Sequence, residues 1–178
     1  MQFFYKSTRY FQILEYRINW KIIQKKGSDL VLNSIFIPEC FRVDVKYRSD
    51  KDSLGPVKIP ADAYYGPFTG RAIKQYNVTG RPSHRNLIKS FVMIKRSAAV
   101  ANMKTKAINK KQGTAIVKAC DKILSGKHID QFVVDMVNSG AGTAFNMNTN
   151  EVITNVALKG LGKKQGQYEF LHPNDHVK

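Results

Sequence analysis

Residues 139–155 constrain this chain more than any other stretch. They read Ser-Gly-Ala-Gly-Thr-Ala-Phe-Asn-Met-Asn-Thr-Asn-Glu-Val-Ile-Thr-Asn. A loop of small residues, Ser139 to Thr143, runs straight into a helical pattern. Such a junction presents free backbone N–H groups and the positive end of a helix dipole, which suits a carboxylate or phosphate. Asn148, Glu151 and Asn155 fall on one stripe at helical spacing. Asparagine is a mediocre helix former, so the four between Asn146 and Asn155 look placed for hydrogen bonding. The bland alternative is a capped helix with an Asn-rich, exposed start.

The flanking segments predict a mainly helical fold. Ser83 is a candidate N-cap for a helix running to about Met103, with Leu87, Phe91, Ile94, Ala98 and Ala101 as its apolar face. A second helix is expected from Thr114 to Leu124. Its buried side would hold Ile116, Val117, Cys120, Ile123 and Leu124, with Gly126 as C-cap. Cys120 there reads as a core residue, because no activating base stands beside it in the pattern. The main helix spans about Phe145 to Leu161, with Val152, Ile153, Val156, Ala157 and Leu161 buried. Phe41 to Tyr47 alternates apolar and charged residues like an extended strand, and Asp52 to Pro56 is a turn. Ile59 to Arg71, with two prolines and two glycines, should be irregular. At the other end, Pro173 suits the first turn of a helix and His172 the position before it. The sequence stops about one turn later, so the chain reads as a piece of something longer.

Charge sets the functional classes. Of 178 residues, 29 are Lys or Arg and 13 Asp or Glu, a net charge of +16. That balance fits nucleic acid, an anionic surface, or small dianions. No ribonucleoprotein-type aromatic strand or zinc-finger spacing is present, so a basic nucleic-acid-binding module is the runner-up class. No apolar run is long enough to cross a bilayer. Cys40 and Cys120 give no disulfide framework, and a cytoplasmic setting is the default.

Four stretches resemble the N-terminal part of the fumarase/aspartase superfamily, in its class II fumarase and aspartate ammonia-lyase branch. The first is Lys46-Tyr47-Arg48 with Asp52-Ser53-Leu54-Gly55 and Ile59 to Gly66. The second is Lys95 to Met103. The third is Asp130 to Asp135, leading to Gly140-Ala141-Gly142-Thr143 and Asn146 to Ile153. The fourth is His172 to Val177. The passage Asp130 to Asp135 and Ala141 lean towards aspartase, whereas Ala144-Phe145 departs from both branches.

The resemblance implies the N-terminal helical domain of that fold, cut at the start of the central helical-bundle domain. It divides the chain into an extension over 1–44, a lyase domain over 45–171, and the start of the central domain over 172–178. The extension would be upstream sequence from a misplaced start near Val43 or Val45. The implied activity is elimination of ammonia or water from a dicarboxylate to give fumarate. By resemblance Ala141, Gly142, Thr143 and Asn146 bind a substrate carboxylate, and His172, Asn174 and Asp175 form a second, non-catalytic dicarboxylate site. The catalytic base, a serine, is expected beyond Lys178, so this chain alone would hold no catalytic residue and no complete site. The implied partners are aspartate, malate or fumarate and a homotetramer whose sites draw on three subunits. No cofactor is implied. The His172–His176 spacing has metal-ligand length, but Pro173 between the two speaks against a metal.

Overall fold

The structure, a computed structural model, describes residues 45–138 and 140–177; the expected extension over 1–44, with Cys40, lies outside them. Strands β1 (Tyr47–Asp52) and β2 (Gly55–Pro60) form an antiparallel hairpin, with Tyr47 opposite Pro60 and Asp52 opposite Gly55. Its turn is the one expected. Asp52 Oδ1 accepts a hydrogen bond from the Leu54 N–H at 2.9 Å, and Gly55 supplies a φ of 108°. Arg48 ties the hairpin to the loop behind it. Its guanidinium grips Asp50 at 2.9 Å and donates to the carbonyls of Pro60 and Tyr65 at 3.1 and 2.8 Å.

Five helices follow: α1 (Pro67–Gln75), α2 (Arg85–Lys104), α3 (Lys110–Leu124), α4 (Thr143–Gly160) and α5 (Pro173–His176), with a 3-10 turn at Ile129–Gln131. The mainly helical expectation therefore holds, with several local corrections. The stretch from Ile59 to Arg71 is not irregular. It finishes β2 and opens α1, because Pro67 sits at the start of the helix, where its missing N–H costs nothing.

Helix α2 is capped by His84 rather than Ser83; His84 Nδ1 accepts from the Asn86 N–H at 3.2 Å. Its buried stripe is Ile88, Val92, Lys95 and Ala99. The expected face is displaced from this one: Leu87 is 41% exposed, Ile94 62% exposed, and Phe91 and Ala98 lie half-buried at its edge. Apolar residues cover more than half of this helix, so their spacing identifies a helix without choosing the side that meets the core. Burial leaves the Lys95 amine below its ordinary pKa.

Helix α3 begins at Lys110, four residues before the expected start, because Asn109 Oδ1 caps it through the Gln112 N–H at 2.8 Å. Ile116, Cys120 and Ile123 are buried as expected, while Val117 and Leu124 are only partly so. Ser125 closes the helix, and Gly126 follows with a φ of 97°. Burial pushes the Cys120 thiol up to about 12, which makes it a core residue.

Helix α4 is the centre of the fold and packs against each of the other four helices. From Asn148 to Leu158 every residue is buried, polar ones included. The Asn-rich part is therefore not an exposed start. Asn148 Nδ2 donates to the Gln131 carbonyl at 3.1 Å. Asn155 donates to the Tyr64 carbonyl at 2.8 Å and accepts from the Gly166 N–H at 2.9 Å. Between them Glu151, 1% exposed, accepts from the backbone N–H groups of Gly66, Phe68 and Thr69 at 2.9, 2.9 and 3.1 Å. Those are the first donors of α1, so one helix caps another through a buried carboxylate.

Two substitutions test this seam. Glu151→Gln turns an amide donor towards backbone donors, and is expected to lower unfolding free energy by about 2–3 kcal/mol. A Cβ at Gly66 would collide with the Tyr168 hydroxyl and stand 2.8 Å from Glu151 Oε1. Gly66→Ala is therefore expected to lower the urea midpoint in the same direction. A wild-type midpoint for both variants would show that the seam does not hold the fold.

Candidate carboxylate-binding loop

The loop before α4 is built from left-handed backbone. Gly140, Ala141 and Gly142 have φ values of 79°, 52° and 82°. Glycine adopts this conformation freely, whereas at Ala141 it costs about 1–2 kcal/mol. The turn ends at Gly140, whose carbonyl accepts from both the N–H and the hydroxyl of Thr143, at 3.0 and 2.6 Å. Helix α4 then starts with no side-chain cap, in contrast to α2, α3 and α5. Ala141 and Thr143 are exposed, and Gly142 and Asn146 half-exposed. Thr143 and Asn146, three apart, share one face of the helix. The four residues expected to bind a carboxylate thus form one accessible group at a helix N-terminus.

The approach to this loop is held by Asp135. Its carboxylate accepts from the N–H groups of Val78, Thr79, Gly80 and Val137 at 3.1, 2.7, 2.8 and 2.8 Å, and from the Thr79 hydroxyl at 2.8 Å. Met136 N–H donates to the Arg81 carbonyl at 2.7 Å, and Asn138 Nδ2 to the Asp135 carbonyl at 3.0 Å. Burial alone would raise the Asp135 pKa, but these donors outweigh it and hold the carboxyl down at about 2. Sequence reading placed Asp135 in a motif but gave it no role, since all its partners but Val137 lie more than fifty residues away.

His172, Asn174 and Asp175 stand at the start of α5. His172 Nδ1 caps the helix through the Asn174 N–H at 3.2 Å and lies 3.3 Å from Asp175 Oδ2. The His172 N–H donates to His176 Nδ1 at 2.9 Å. Asn174 and Asp175 are exposed. Among the described residues no hydrogen bond joins this set to the loop at 140–143. No group of three or more His, Cys, Asp or Glu among the described residues is placed to hold a metal, and no described helix is long and apolar enough to cross a membrane.

A mainly helical unit with a central helix capped onto its neighbours and an open, left-handed loop at its head defines the class of protein. The sequence model of the family described as Lyase matches residues 55–178, and the chain belongs to this fumarase/aspartase lyase family. Aspartate ammonia-lyase of Bacillus sp is 49% identical over 130 residues, which are 73% of this chain and 28% of that protein. The aspartate ammonia-lyase of Escherichia coli (strain K12) is 44% identical over 133 residues, with the same shares. Among solved structures, fumarate lyase:delta crystallin from Brucella melitensis bound to cobalt superposes with a TM-score of 0.73 at 43% identity, over 74% of this chain and 29% of that one. Class II fumarase from Schistosoma mansoni gives 0.69 at 36% identity, over 74% and 28%. The chain thus spans about 28% of the length of the curated relatives it matches.

Asp135 gives a pH signature. Its carboxyl titrates lower in the folded state than in the unfolded chain, so its contribution is present above the ordinary carboxylate range. That contribution is lost as the pH falls through about 2. Asp135→Asn is expected to cost about 1–3 kcal/mol at neutral pH. It should also flatten the fall in stability between pH 4 and 2, read from urea melts across that range; an unchanged acid limb would remove Asp135 as its source.

Proposed function

We propose that this chain is the N-terminal, carboxylate-binding part of a fumarate-forming lyase, and specifically of a cytoplasmic aspartate ammonia-lyase. The observation that carries the reading is the identity of 44% and 49% to aspartate ammonia-lyases, within a family match that covers residues 55–178. Class II fumarate hydratase is the second reading, favoured by the structural likeness to a class II fumarase at 36% identity.

In the reaction a proton leaves the carbon beside one carboxylate and ammonia departs from the next carbon. The electron pair left behind moves into that carboxylate, which becomes a doubly charged aci-carboxylate. Groups that donate more strongly as this charge develops lower the barrier. The uncapped start of α4 suits that task, because its donors are neutral and small. The Thr143 hydroxyl donates to the Gly140 carbonyl. Rotation about χ1 would redirect it to a bound carboxylate, with Asn146 beside it.

We assign the serine base, and the Lys and Asn that clamp the substrate, to sequence beyond Lys178, in a homotetramer whose sites draw on three subunits. His172, Asn174 and Asp175 would form a second dicarboxylate site. The Asp175 carboxylate beside His172 opposes a dianion there.

Two measurements test the reading. The purified 178-residue chain is expected to release no fumarate from aspartate or malate; release would show that it holds a complete site. In the whole subunit, Thr143→Val should lower kcat/KM for aspartate by about 100-fold while leaving the urea midpoint in place. A wild-type rate would remove Thr143 from the site. Turnover of malate in preference to aspartate would move the assignment to fumarate hydratase.

A further inference from the structure

One apolar face of α2 stays outside the core. Leu87, Phe91, Ile94, Ala98 and Ala101 recur along it at intervals of four, three, four and three, beside the buried stripe of Ile88, Val92, Lys95 and Ala99. Leu87, Ile94 and Ala101 are exposed, and Phe91 and Ala98 half-buried. Exposed apolar residues scattered singly are ordinary on a protein surface. An unbroken stripe of this period is different, because it is the seam of a helix pair. It runs for about 21 Å, at 1.5 Å per residue. Its margin is small and neutral, with Ser90 and Ser97 exposed beside it. The five cations of α2 stand elsewhere. Arg85, Lys89 and Arg96 share the opposite side, where Arg96 holds Asp121 of α3 at 2.7 Å. Lys95 is buried, and Lys104 ends the helix beyond the stripe.

We infer that this face of α2 pairs with the α2 of a second copy of the chain, antiparallel and about a two-fold axis. Two features select that occupant. The first is charge. Copies of a chain with a net charge of +16 repel one another, so they associate most readily on a face free of cations, and this face is one. It also offers no charge by which an acidic or basic partner would recognise it. The second is fit. In the antiparallel register Leu87 of one copy lies against Ala98 of the second, and Phe91 beside Ile94, each contact occurring twice. Parallel pairing would set Phe91 on Phe91 and Ala98 on Ala98, overfilling one layer and leaving another empty. A single helix pair buries less than the ~800 Å² per partner of a stable interface, so the dimer is weak, with a Kd on the order of 100 μM. The contact is independent of the reaction proposed above.

Sedimentation equilibrium of the 178-residue chain is expected to show a monomer–dimer equilibrium that tightens as salt screens the net charge. Ile94→Glu, at an exposed position, should weaken it at least about tenfold, and circular dichroism checks that the variant is folded. Register is read by cross-linking in a Cys40→Ser background. Leu87→Cys with Ala98→Cys should give a disulfide-linked dimer on oxidation. These two positions cannot join within one helix, because about 16 Å of helix separates them. Leu87→Cys alone should not link, since antiparallel copies hold the two Leu87 positions equally far apart. A chain that stays monomeric up to about 1 mM would overturn the assignment. So would dimerisation that salt dissolves, dimerisation unchanged by Ile94→Glu, or linkage by Leu87→Cys alone as readily as by the pair.

Discussion

The buried carboxylate of Glu151 is the contact on which the arrangement of this unit depends. A lone carboxylate in the core is costly to ionise, and burial does push its pKa up, while the amides of Thr69, Phe68 and Gly66 pull it back. The contact is tolerable only because α1 supplies three donors and the positive end of its dipole at one point. Geometry is thereby fixed at both ends. Gly66 must lack a side chain for the carboxylate to approach, and α1 must begin where Pro67 begins it. One turn further along α4, Asn155 binds the Tyr64 carbonyl and the Gly166 N–H, so the same stripe locks the loops on either side. A polar seam of this kind sets position along the helix as well as contact, which an apolar stripe does only loosely.

Position along α4 matters because its first turn carries the loop proposed to bind a carboxylate. Two helix N-termini in this unit show opposite treatments of one electrostatic problem. At α1 the donors are filled from within by Glu151 and buried. At α4 the start has no side-chain cap and is presented on left-handed, exposed backbone that includes a strained alanine. Strain and an unfilled helix start are disadvantages for stability alone. Both fit the proposal that this loop takes an anion, with the charge that Glu151 provides at α1.

Much of this was legible in the sequence, and the failures share a cause. The loop at 140–143, the core role of Cys120 and the hydrogen bonding of Asn148 and Asn155 follow from local pattern and chemistry, whereas the Asn150 Oδ1 is buried without a partner. The buried side of α2 does not, because Ile94 and Lys95 exchange the places their polarity suggests: Ile94 is exposed and Lys95 is 8% exposed. Which side of a broadly apolar helix is buried depends on what packs against it, and spacing holds no record of that. Helix α1 was hidden by its own prolines and glycines, which mark a break and here serve its start. The tasks of Asp135 and Glu151 could not be read, since all the partners of Asp135 but Val137 lie more than fifty residues away and those of Glu151 more than eighty.

The net charge of +16 admits a reading in which the loop and the lysines divide the work of handling a dianion. A long-range field from many exposed cations raises the local concentration of dicarboxylates without selecting among them. Selection then falls to short-range donors, and those of the loop are neutral. Glycine amides and a threonine hydroxyl bind weakly in the ground state and gain most when the second negative charge appears. On the proposed function, the neutral donors of this loop suit an elimination, where the demand for donors changes during the reaction, more than simple anion storage.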